Sequence, residues 1–83
     1  MMTIKSLLQK ATCTGEFTLE SARELVRYDW RTMIRTLPTE AKQEAETLFY
    51  FIEGYVEEVD EGFVDEPNDP ELYERSLSLL ERL

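Results

Sequence analysis

From Pro38 to Phe63 the apolar residues return every three to four positions. Ala41, Ala45, Leu48, Phe49, Ile52, Tyr55, Val56, Val59 and Phe63 therefore share one wide face of a long helix. Such a face has to be buried against other elements, and a chain of 83 residues has material for one core only. No segment carries the period-two alternation of a half-buried strand. These constraints predict a single all-α domain, a small bundle of three to four helices. The elements expected are a short N-terminal helix at 3–11, two long central helices at 19–36 and 39–61, a loop at 62–69 and a C-terminal helix at 70–82.

Local signals set these boundaries. Ile4, Leu7, Leu8 and Ala11 form the stripe of the first helix, and Gly15 breaks the segment after it. Thr18 can cap the next helix, with Ser21 and Glu24 as an alternative capping box. Pro38 ends the second helix and disfavours helical geometry at Leu37. Asn68 or Asp69 can cap the last helix, with Pro70 in its first turn, and Leu72, Tyr73, Leu77, Leu80 and Leu83 form its apolar face. Gly54 lies inside the third helix, at a cost of roughly 1 kcal/mol against alanine; this predicts close packing against a neighbour, or a bend.

Read as one continuous helix, residues 19–36 place Ala22, Leu25, Val26, Trp30, Met33 and Leu37 on one face, with Ile34 at its edge. Arg23, Arg27, Arg31 and Arg35 recur every four residues beside that face. Asp29 falls between Leu25 and Met33, inside the apolar face. A carboxylate there needs a hydrogen-bonding partner that fixes helix register, or else it is an acid held in a pocket.

The composition excludes several functions. There is no histidine, so the commonest general base and transition-metal ligand are missing. The single cysteine, Cys13, cannot form an internal disulfide and reads as a reduced thiol. The segment from Asp60 to Glu71 resembles a calcium loop only superficially, because Pro70 stands where the loop started at Asp65 needs glycine. With no catalytic motif, the chain reads as a non-enzyme without cofactor or metal. No apolar run approaches 18 residues, and a signal-like core is missing, so a soluble cytoplasmic protein is expected.

Charge is distributed unevenly. The net charge is −9, which opposes direct binding to nucleic acid or anionic membranes. Residues 1–42 hold seven bases and five acids, whereas residues 43–83 hold two bases and thirteen acids. Glu46, Tyr50, Glu53, Glu57 and Glu61 run along the outward side of the third helix, with Asp60 beside them and Glu58 on the flank; Asp65 and Glu66 continue the run. Like charges at i,i+4 cost roughly 0.2–0.5 kcal/mol each, and acids at a helix C-terminus oppose its dipole. Such a run reads either as a solubilising face, partly neutralised by the arginines, or as a binding surface.

Glutamates four apart rise about 6 Å along a helix, the same order as successive phosphates on a strand. The expectation drawn from this is an inhibitor that binds another protein, its acidic helix face occupying a basic, nucleic-acid-binding surface, as do the small nucleic-acid mimics that phages and mobile elements encode. Arg23, Arg27, Tyr28, Arg31 and Arg35 form a secondary basic and aromatic face, suited to intramolecular pairing or to a partner's acidic patch. Tyr28 and Tyr50 point away from their helices' apolar faces, Phe17 and Phe51 read either way, and Trp30 reads as core. The alternative is an adaptor or regulatory subunit, including a homodimer, that assembles through apolar and aromatic positions.

Overall fold

The computed structural model describes residues 3–63, 65 and 67–83. They form five helices: α1 (Ile4–Thr12), α2 (Leu19–Leu25), α3 (Trp30–Ile34), α4 (Thr39–Asp60) and α5 (Pro70–Arg82). Among the described residues the β structure is limited to one antiparallel bridge, Thr18 with Asn68. The fold is the small all-α bundle that periodicity predicts.

The bundle has four corners. α4 packs on α2, α3 and α5, while α1 packs on α5, α2 and α3, so α1 and α4 lie diagonally opposite. At about 1.5 Å per residue, the 22 residues of α4 account for most of the 36 Å long axis. Ile4, Leu7, Leu8 and Ala11 of α1 meet Ala41, Ala45, Leu48, Phe49, Ile52 and Tyr55 of α4 in one continuous core. Val56 and Val59 are half-buried against it.

One corner is broken where the periodicity suggests continuity. The expected helix 19–36 ends at Leu25 and starts again at Trp30. Tight turns carry the chain between them, with Arg27 N donating to the Glu24 carbonyl and Tyr28 N to the Leu25 carbonyl. Asp29 is the cause of the restart. It takes the N-cap position of α3, and its carboxylate accepts from Thr32 N (3.4 Å) and from the Thr32 hydroxyl (2.7 Å). Asp29 is therefore exposed and satisfied, in contrast to the expected place within an apolar face. Both short helices turn their apolar residues toward the same core, with Ala22, Leu25, Trp30 and Ile34 buried, which is why helical spacing survives the break.

Other ends follow the sequence signals. Thr3 and Ser6 form a reciprocal capping box on α1, Thr18 caps α2 through Ser21 N, and Asp69 caps α5 ahead of Pro70. Phe63 lies beyond the end of α4 and is 79% exposed, so it does not extend that helix's buried face. In α5 the buried positions are Leu72, Ser76 and Leu79; Leu77 is only partly covered, and Tyr73, Leu80 and Leu83 flank the seam. Around Gly54 the expected close neighbour is absent among the described residues: a Cβ built there meets none of their atoms within 4 Å.

The loops before α2 and before α5 are tied together. Asp69 N donates to the Phe17 carbonyl (2.9 Å) and Leu19 N to the Pro67 carbonyl (3.0 Å), on either side of the Thr18–Asn68 bridge. Phe17, fully buried, fastens this junction to the core. Phe17→Ala is expected to lower the unfolding free energy by about 3–5 kcal/mol, a large part of the 5–15 kcal/mol usual for a domain, measured by urea titration. Among the described residues the buried Ser76 hydroxyl finds no hydrogen-bond partner. Ser76→Ala removes an unsatisfied polar atom, so its urea midpoint should equal or exceed that of the parent, by up to about 1 kcal/mol in stability.

Candidate acidic docking face

The solvent side of α4 carries the acidic run. Glu46, Glu57, Glu58 and Glu61 are exposed, as is Asp65 in the loop that follows, whereas Glu53 is half-buried. Glu66 lies outside the described residues. α4 presents these groups in line because its opposite side holds its buried apolar residues, leaving the outward positions no alternative to solvent.

The arginines of the first half reach one flank of this run, but not as a single stripe. Arg23, on α2, forms a two-pronged pair with Asp60: Nη1 to Oδ2 is 3.3 Å, and Nη2 binds Oδ1. Arg31, on α3, lies 3.7 Å from Glu53. The break at 26–29 puts these two arginines on different helices and Arg27 in the turn between them. Glu24 pairs with Lys10 of α1 at 3.2 Å, and Arg23 reaches across to α4. Being exposed, these pairs are screened by solvent and each adds little to stability. Arg23 also places a cation at the last turn of α4, which has no basic residue of its own and whose dipole favours one.

What the arginines leave uncovered is well defined. Among the described residues, no ion pair reaches Glu46, Glu57, Glu58, Glu61 or Asp65. Within the acidic run, all of these but Glu46 lie at the C-terminal end of α4 or just past it.

An aromatic ridge adjoins the acids. Trp30 is buried and stacks on Phe49, with centroids 5.1 Å apart and planes 18° apart. The Arg31 guanidinium lies over the Trp30 ring at 4.3 Å, and Tyr50 meets its edge at 5.9 Å. Tyr50 is nevertheless 61% exposed and its neighbour Phe51 49% exposed. Tyr28 differs from the expected exposed anchor, being partly buried against the core. Arg35, Lys42 and Glu46 border the hollow beside Tyr50 on the α3 side. Sequence reasoning missed the role of Phe17 at the loop junction and the exposure of Phe63; the turn residues around both were the available signals.

Among the described residues no group of three or more acids or cysteines is arranged to hold a metal ion, and no helix is long and apolar enough to cross a membrane. Cys13 is exposed and unpaired with another cysteine. Compared with known protein families, with curated proteins and with solved structures, the chain matches none.

Two carboxyls titrate below their ordinary value of 3.8. Asp60 is lowered chiefly by its hydrogen bond from Arg23, whose own pKa is raised by the same bond. Asp29 is lowered by the Thr32 hydroxyl, then by Thr32 N, with Arg35 and Arg31 adding to the effect. A depressed carboxyl stabilises the fold above its unfolded pKa, and that contribution is lost as pH falls through the lower folded value. Asp60→Asn should therefore lower Tm at pH 6, and the gap to the parent should close progressively below about pH 3.8, as followed by circular dichroism melts across pH.

Proposed function

We propose that the C-terminal half of α4 and the loop after it bind another protein at a basic, nucleic-acid-binding surface and inhibit it by occupying that surface. The observation that carries this reading is the set of exposed carboxylates on Glu57, Glu58, Glu61 and Asp65, to which no cation of the described chain is paired. The chain has nine basic residues, and ion pairs from two of them cover the Glu53–Asp60 flank of the same helix. The remaining acids repel one another and oppose the helix dipole at a cost to local stability. A basic partner would relieve both penalties and gain ion pairs, and the field of a −9 protein would speed the encounter. Inhibition follows from occupancy alone, and the reading invokes no enzyme chemistry, cofactor or direct nucleic-acid contact.

The test is capture on the immobilised protein at low salt, followed by elution with a salt gradient or with excess duplex DNA. Basic proteins released by both treatments, and lost with the Glu57→Gln, Glu58→Gln, Glu61→Gln triple variant, are the expected result. Equal capture by the triple variant, or retention in the presence of duplex, would overturn the reading.

A second reading is favoured by the side-by-side exposure of Tyr50 and Phe51. In it α4 is the interface of an adaptor or of a homodimer, and the acids serve solubility. Assembly of that kind would resist salt and would fail with Phe51→Ala, whereas the triple glutamine change would leave it intact.

A further inference from the structure

Gly54 is the least explained residue in the fold. It sits within the unbroken helix Thr39–Asp60, where alanine would be favoured by roughly 0.5–1 kcal/mol. Its backbone does not require glycine, since the positive φ values belong to Gly15 and Gly62. Packing does not require it either, because among the described residues nothing approaches an added Cβ within 4 Å. What the missing side chain does is deepen a hollow of about 360 Å³ between α4 and the start of α5.

The lining of that hollow has a definite chemistry. Tyr50 and Phe51 contribute exposed aromatic surface, and Glu58, Asp69 and Glu71 contribute three carboxylates against the single cation Arg75. Asp69 caps α5, its carboxylate accepting from Leu72 N, and Glu71 pairs with Arg75 at 3.2 Å. Among the described residues Glu58 has no ion pair. The Arg75 guanidinium rests 4.6 Å from the centroid of the Phe51 ring, so the wall already accommodates this group in a stacked position. Aromatic faces beside carboxylates favour a planar cation that can stack and donate several hydrogen bonds at once, the properties that separate arginine from lysine.

We propose that the hollow over Gly54 receives an arginine side chain of the basic partner and is the specificity pocket of the acidic face. This rests on the reading above that the partner is basic. It adds that the partner is held through a particular side chain and not through long-range charge alone.

Peptides of equal charge separate the two effects. Hexa-arginine and hexa-lysine are titrated into the full chain at fixed salt, with affinity read by calorimetry and location by amide chemical shifts; with three glycines in the chain, Gly54 is readily followed. The expected result is a preference for hexa-arginine of about three- to tenfold, with shifts centred on Gly54, Phe51 and Glu58. Gly54→Ala should raise Tm, which reports an intact fold. Gly54→Gln, whose helix-compatible side chain fills the hollow, should reduce the peptide preference to near unity while lysine-peptide affinity is retained.

Glu57→Gln with Glu61→Gln should weaken both peptides alike, so loss of the charged face and loss of the pocket give different signatures. An unchanged arginine preference in Gly54→Gln, or shifts confined to residues 57–65, would overturn the proposal and leave the acidic face standing. Light scattering that shows a dimer broken by Gly54→Gln would overturn it in favour of a second copy as the occupant.

Discussion

Burial of one face of α4 is the constraint on which the structure depends. Leu48, Phe49 and Ile52 are almost wholly removed from water, and each contributes roughly 1.5–3 kcal/mol of transfer free energy. The elements in contact with α4 are arranged by that burial: Trp30 of α3 stacks on Phe49, α2 and α5 close the two sides, and α1 completes the core from the opposite corner. Once the apolar face is fixed inward, the outward positions are fixed as well. Glu46, Tyr50, Glu57 and Glu61 then have to face solvent, whatever their mutual repulsion costs. The acidic run is thus a consequence of the core's register combined with the residue types placed at the outward positions, and only the second of these is free to vary.

The core register was legible in the sequence for α1 and α4, where one helix spans the whole pattern. The bounds of α4 and α5 fall within a residue of those expected because proline, Asp69 and an unbroken apolar period agree there. The corner at 19–34 shows why periodicity alone can mislead. Two short helices that face the same core carry apolar residues at nearly the spacing of one long helix, and Asp29 then seems to lie inside the apolar face. The decisive local signal was Asp29 followed by Thr32, a side-chain cap that competes with helix continuation. In α5 the alternative stripe through Leu77 differs from the buried one by a modest rotation, and the small Ser76 at the seam gives no hydrophobic signal.

The candidate face was legible in composition but not in its balance of charge. A count along the chain finds the acids; it does not find which arginines neutralise them, because Arg23 with Asp60 and Arg31 with Glu53 depend on how α2 and α3 lie beside α4. Had residues 19–36 formed a single helix, the four arginines would have made one basic stripe. The break at Asp29 separates them: Arg23 reaches Asp60, and Arg31 reaches Glu53 and covers the Trp30 ring. A capping interaction on α3 thereby influences the electrostatics of α4.

Charge and shape then separate along α4 in a way that neither shows alone. On the α3 side of Tyr50 the bordering groups are Arg31, Arg35 and Lys42 against Glu46, and on the α5 side they are Glu58, Asp69 and Glu71 against Arg75. The helix is a divide between a cationic hollow and an anionic one, with an exposed tyrosine on the crest. A uniformly acidic rod would attract any basic surface and hold it in no preferred orientation, since long-range fields steer without fixing register. A divided surface with an aromatic crest resists that degeneracy: a partner turned the wrong way would set its cations against Arg35 and Lys42. Orientation would come from the contrast across α4, and this contrast exists because α3 and α5, of opposite local charge, are both held against the one long helix by its buried face.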